Sequence, residues 1–156
     1  MTRHWLMKSE PGAYSWQQLQ ADGSTHWDGV RNYQARNIMR DEMKVGDLVL
    51  FYHSNCKPPH VAGVARVSRE SYPDHTCWDK NSHYYDEKST EENPRWMMVD
   101  IEVVSELAEI VSLPDLKNNL QLQGMPLLQK GQRLSVQPVS PDHFAEVCRM
   151  GGLNEV

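Results

Sequence analysis

Apolar residues along this chain fall in short blocks, and the spacing inside each block decides which element it predicts. Residues 4–7 and 48–53 are apolar runs of strand length, too short for a helix of their own. Residues 61–67 form another, broken by Gly63 as in a bulged or sharply bent strand. Further on, Met97, Val99, Ile101 and Val103 alternate with Met98, Asp100, Glu102 and Val104, the pattern of a strand with one buried face. Residues 134–139 supply a fifth strand. Helices are marked by their caps. Ser15 with Gln18 three residues on is a capping-box pattern opening a short helical turn through Leu19. After Asn32, the residues Ala35, Ile38, Met39 and Met43 form an inward stripe, with Arg36 and Arg40 on the opposite face. Ser140-Pro141 opens a helix whose Phe144, Val147 and Cys148 share a side before Gly151 and Gly152 stop it. A weaker helix follows Ser112 and Pro114. Five or more short strands with scattered helices predict an α+β fold built on a small mixed β-barrel.

Residues 74–94 break the pattern: a polar stretch with no apolar stripe, read as a long loop of the kind that often carries function. No repeat or low-complexity tract interrupts the 156 residues, so one domain over residues 1–156 is expected.

Composition narrows the function classes. Hydrophobic residues at 39% and charged residues at 24% describe a soluble globular chain, without an apolar run of membrane-spanning length or a secretory leader. A cytoplasmic protein without membrane contact is expected. The formal net charge of −5 argues against coating nucleic acid by charge alone, so any such binding must be local. Cys56, Cys77 and Cys148 make an odd set without a CxxC pair, which suits reduced thiols better than a disulfide framework. Five Trp and six Tyr against two Phe favour rings with a polar edge, which suit stacking pockets.

Three segments carry the candidate chemistry. Residues 27–37 pack Trp27, the turn residue Gly29, the cap Asn32, and Arg31 and Arg36 into eleven positions, which reads as an anion or phosphate seat beside an aromatic wall. Lys8, Ser9 and Glu10 follow directly on the first strand, and Ser54 and Asn55 do the same after the 48–53 strand. If those strands are neighbours, the polar groups converge with Trp27 on one mouth. Donors and acceptors around a flat ring are what a base-reading pocket needs. The plain alternative for each polar residue is a strand-end turn, and for the arginines a solvated helix face.

These blocks, together with residues 45–55, 84–86, 94–96 and 133–139, closely resemble the EVE-domain family across nearly the whole chain and in order. The resemblance implies a PUA-like fold, a curved mixed β-barrel of five to six strands flanked by short helices. It also implies a binding module for a modified base in DNA or RNA, of which a cytosine modified at carbon five is one form. Within that frame Trp27 is the stacking wall, with Tyr33 or Trp16 closing the cage. Ser9, Ser54 and Asn55 read the base edge, and Glu10 takes a base amino group. Lys8, Arg31, Asn32 and Arg36 hold phosphate. Gly12, Ala13 and Trp16 depart from the residues commoner at those positions in the family.

Neither cofactor nor metal nor catalytic residue is expected. Cys56, His60, His75 and Cys77 lack a common zinc spacing, and Cys56 lacks an evident base and orienting group for thiol hydrolysis. The main alternative is a nuclease or nucleotide hydrolase in the same cleft, by analogy with ASCH-type domains, with Glu10 or His53 as base and Lys8 stabilising charge.

Overall fold

The computed structural model describes residues 2–131 and 133–154. Its centre is one mixed sheet of six strands, β1 (His4–Ser9), β2 (Ser24–His26), β3 (Leu48–His53), β4 (His60–Pro73), β5 (Met97–Ser112) and β6 (Val136–Val139), in the order β2-β5-β4-β3-β1-β6. Four helices join it: α1 (Trp16–Asp22), α2 (Tyr33–Asp41), α3 (Leu113–Asn118) and α4 (Pro141–Met150). The sheet curves without closing, because β2 and β6 remain edges rather than pairing with each other. The expected barrel is therefore an open, bent sheet.

Residues 5–7 of β1 and 49–52 of β3 are apolar in succession because both of their faces are covered. Trp5, Met7, Val49 and Phe51 point to the side packed by Trp16 and Leu19 of α1 and by Ala35, Ile38 and Met39 of α2. Leu6, Leu50 and Tyr52 point to the other side, where Leu116 of α3 and Phe144, Val147 and Cys148 of α4 cover them. The predicted caps hold: Ser15 accepts from the Gln18 amide, Asn32 from the Ala35 amide and Ser140 from the His143 amide.

Gly63 marks a bulge, as expected. Register with β3 shifts between Phe51 and Tyr52, and with β5 between Val61 and Gly63. A side chain there would run into the Trp16 ring, so glycine is what lets α1 close on the sheet. The sequence reading differs from the structure at three places. β4 and β5 run well past their apolar cores into half-exposed hairpin arms, where hydropathy no longer marks them. Met98 is buried like its neighbour Val99, so the predicted one-sided alternation in β5 fails there. β2 went unpredicted, being three polar residues held only by pairing with β5.

Among the described residues the sheet has one parallel pair, β1 with β3. β1 and β3 run together with Ser9 opposite His53, so both strands end on the same rim. Their crossover carries α1, β2, the 27–32 loop and α2, and returns that loop to the same end.

Candidate functional site

At this rim lies a cavity of about 710 Å³ lined by β1, by the 25–31 segment and by the tip of the long loop. Its size lies within the range of small-molecule pockets. Lys8, Ser9 and Glu10 enter from the end of β1, Trp27, Asp28, Gly29 and Arg31 from the crossover, and His83 and Tyr84 from the loop.

A buried carboxylate outside the lining holds the Gly29–Arg31 turn in place. Asp74 is fully buried, and its oxygens accept from the Gly29 amide at 2.8 Å, from Arg31 Nη1 at 3.0 Å, and from the Thr76 amide and hydroxyl. Burial alone would push its pKa up, but hydrogen bonds from Thr76, Gly29 and Arg31 outweigh it and leave the group below the ordinary carboxylate value. Arg31 is occupied by the same framework. Besides Asp74 it donates to the Tyr84 carbonyl at 2.8 Å, clamping the long loop over the 27–31 turn. Gly29 lies under the Tyr84 ring with φ of 80°, and a Cβ there would sit 2.5 Å from Tyr84 Cζ.

With Arg31 paired, Lys8 is the cation left to the cavity. It makes no salt bridge among the described residues, and burial lowers its pKa. Asp28 is the opposite case. Burial, then the nearby charge of Asp74, raise its pKa, while His26, 3.4 Å away, and His75 pull it back.

The other predicted residues divide. Ser9 lines the cavity and donates to the Tyr14 carbonyl at 2.7 Å. Asn55 stands outside the lining and reaches Glu10 at 3.4 Å, while the Ser54 amide donates to the Ser9 carbonyl, so both tie the two strand ends together. Trp27 lines the cavity, but at 7% exposure it belongs to the core and packs edge-on against Phe51 and Tyr14. Trp16, expected in the cage, stands outside the cavity lining, its ring buried against Phe51 and Gly63. Tyr33 is outside as well, half exposed and stacked on Trp96 at 4.8 Å. Asn32 spends its side chain on the α2 cap, and Arg36 lies over the Tyr33 ring with one donor on the Arg95 carbonyl.

His53, considered as a base, is buried behind the rim, and its Nε2 accepts from the Trp16 amide, which requires a neutral ring. Cys77 Sγ donates to the buried Asp74 carbonyl, whereas Cys56 sits in the turn after β3 beside His60, so the four Cys and His positions do not assemble. Sequence reasoning missed Asp28 and Tyr84 as cavity residues. Both lay inside the blocks already singled out, but only the loop closure through Arg31 shows that they meet.

The EVE domain family profile matches residues 3–150. The chain belongs to the EVE-domain family. Human thymocyte nuclear protein 1 is 43% identical over 163 residues, covering 92% of this chain and 72% of that protein. Among solved structures, a Pseudomonas syringae protein superposes on this EVE domain with a TM-score of 0.91 at 45% identity, covering 95% of this chain and 99% of that one. The human THYN1 protein, crystallised in complex with DNA containing 5-methylcytosine, gives 0.90 at 42% identity, with 96% and 98% covered. The EVE domain here contains no helix, among its described residues, long and apolar enough to cross a membrane.

Proposed function

We propose that this EVE domain binds a base modified at carbon five of cytosine, drawn out of a nucleic-acid strand into the Lys8–Tyr84 cavity. The observation that carries the reading is the pairing pattern of the cavity: Arg31 is held by Asp74 while Lys8, half-buried on the same wall, has no acidic partner among the described residues. A desolvated ammonium without a counterion favours an anionic ligand, and phosphate supplies one. The Trp27 and Tyr84 rings give the base apolar surface, and Asp28 and Glu10 offer acceptors to an exocyclic amino group. The human relative crystallised with 5-methylcytosine DNA supports the same class of ligand. Drawing a base out of a duplex costs a few kcal/mol, and stacking returns about 1–3, so edge hydrogen bonds and the phosphate contact must supply the rest. Cytoplasmic residence belongs to the same proposal, since three free thiols suit a reducing compartment.

The deciding experiment titrates matched oligonucleotides carrying cytosine, 5-methylcytosine or 5-hydroxymethylcytosine into wild-type protein and Lys8→Met. The expected result is tighter binding of a modified strand by the wild type, and weaker binding of every strand by the variant. Equal affinity for modified and unmodified cytosine would overturn the reading.

A further inference from the structure

Outside the cavity, a chain of rings and guanidinium groups runs from its lip across the surface. Tyr84 lines the cavity, and the Arg31 guanidinium carbon lies 5.4 Å from the Tyr84 ring centre and 5.3 Å from that of Trp96. Trp96 is buried, its indole nitrogen donating to Asp86, and Tyr33 stacks on its outer face at 4.8 Å with an interplanar angle of 21°. Tyr33 is 50% exposed. Two cations flank it: Arg36 lies 4.7 Å from its ring centre, and Arg95 Nη1 donates to its hydroxyl at 3.4 Å. The Arg36 guanidinium hydrogen-bonds to neutral acceptors, Asn37 and the Arg95 carbonyl, with Asp41 near enough to feel its charge.

A stack of this kind could be internal architecture, and its buried half, Arg31 and Trp96, is. The outer half is different, because the Tyr33 ring stays half exposed beneath the Arg36 guanidinium, and neither Arg36 nor Arg95 makes a salt bridge among the described residues. Aromatic platforms beside backbone-tracking cations are how proteins hold unpaired nucleotides without reading their sequence.

We infer that Tyr33, with Arg36 and Arg95, forms a second subsite that stacks the base next to the one in the cavity and holds its phosphate. The inference rests on the cavity reading above and extends it from one nucleotide to a short single strand. Tyr33, expected from the sequence as part of the base cage, thereby serves the neighbouring base. Being sequence-tolerant, this subsite adds affinity for a strand without adding preference for the modification.

Three probes separate the two sites: 5-methyldeoxycytidine monophosphate, a trinucleotide with 5-methylcytosine at its centre, and the same trinucleotide with abasic flanks, which keeps the phosphates but lacks the flanking rings. Wild-type protein is expected to bind the full trinucleotide about tenfold more tightly than the abasic-flanked one. Tyr33→Glu, which suits a first helical position, removes that gap while leaving mononucleotide affinity within about twofold. Tyr33→Phe keeps the gap. Arg95→Gln weakens both oligomers and makes the salt slope shallower by about 0.7. No gap in the wild type, or a gap that survives Tyr33→Glu, overturns the platform. Failure of the mononucleotide to bind wild type overturns the cavity reading instead, and the flank gap still decides the platform on its own.

Discussion

Two neighbouring carboxylates, Asp74 behind the cavity and Asp28 on its lining, have opposite consequences. Asp74 accepts four hydrogen bonds and stays ionised more readily than usual, so it contributes stability above the ordinary carboxylate range and loses it on acidification below that range. Asp28 is raised by burial and by Asp74 itself, so its ionisation at neutral pH costs stability. That cost is absent below its ordinary value of 3.8 and fully present above its raised one. Asp28→Asn should therefore raise the denaturation midpoint at pH 7, with the gain vanishing near pH 3. The same variant should lower affinity for a 5-methylcytosine strand about fivefold, because a charge-assisted bond to the base amino group becomes a neutral one worth about 1 kcal/mol less. Chemical unfolding at both pH values and a binding titration check the pair. Destabilisation at pH 7 would show that Asp28 is structural rather than held at a cost for a ligand. Nothing in the residue order distinguished these roles, since Asp28 and Asp74 are simply acids near turns until the Arg31 clamp places them side by side.

At the scale of elements, much was legible in the sequence wherever a local rule also governs the folded chain. The caps at Ser15, Asn32 and Ser140 act within three residues of themselves, and the Gly63 break is a backbone requirement visible in one letter. The parallel pairing of β1 and β3 was conjectural; it sets the 54–55 turn beside the end of β1, but Ser54 and Asn55 tie the strand ends together and stand outside the cavity that Lys8, Ser9, Glu10 and Trp27 line. Burial of Trp16 and Trp27 was not legible, because the ring that faces a cavity and the ring that fills a core are the same residue type. Two glycines now separate packing from function. Gly63→Ala drives a methyl group into the Trp16 ring between α1 and the sheet, so it should cost stability, about 1–3 kcal/mol, with ligand affinity of the remaining folded protein unchanged. Gly29→Ala meets a φ of 80° and the half-buried Tyr84 ring, which must shift to make room for the methyl group. A left-handed residue costs about 1–2 kcal/mol, so stability should fall by a similar amount, but affinity should fall as well because the displaced ring occupies ligand space. Unfolding curves paired with titrations distinguish the two; equal binding loss in both would mean that Trp16 and α1 shape the cavity after all.

For the whole molecule, charge sets the terms on which it meets both acid and nucleic acid. Burial, reinforced by His60, lowers the His53 pKa, and burial also lowers that of His4 despite the opposing charge of Asp47. A histidine depressed in the folded state takes up its proton first when unfolded, so stability is full above about 6.5 and declines as pH falls below it. The decline should be shallower in His53→Gln, measured by unfolding midpoints between pH 7 and 5. Nucleic acid meets a chain of net charge −5 in which Arg3 pairs with Glu42, Arg40 with Asp41, Arg66 with Glu102 and Arg149 with Glu146. Without an extended basic track, affinity cannot come from many phosphates, and the unpaired cations on the proposed path are Lys8, Arg36 and Arg95. Each phosphate neutralised on a single strand contributes about −0.7 to the slope of log affinity against log salt, so three predict about −2. Lys8→Met and Arg95→Gln should each make that slope shallower by about 0.7. A slope near zero would mean that the ligand enters as a free base. One steeper than about −5 would require a basic groove, which the paired surface arginines do not provide.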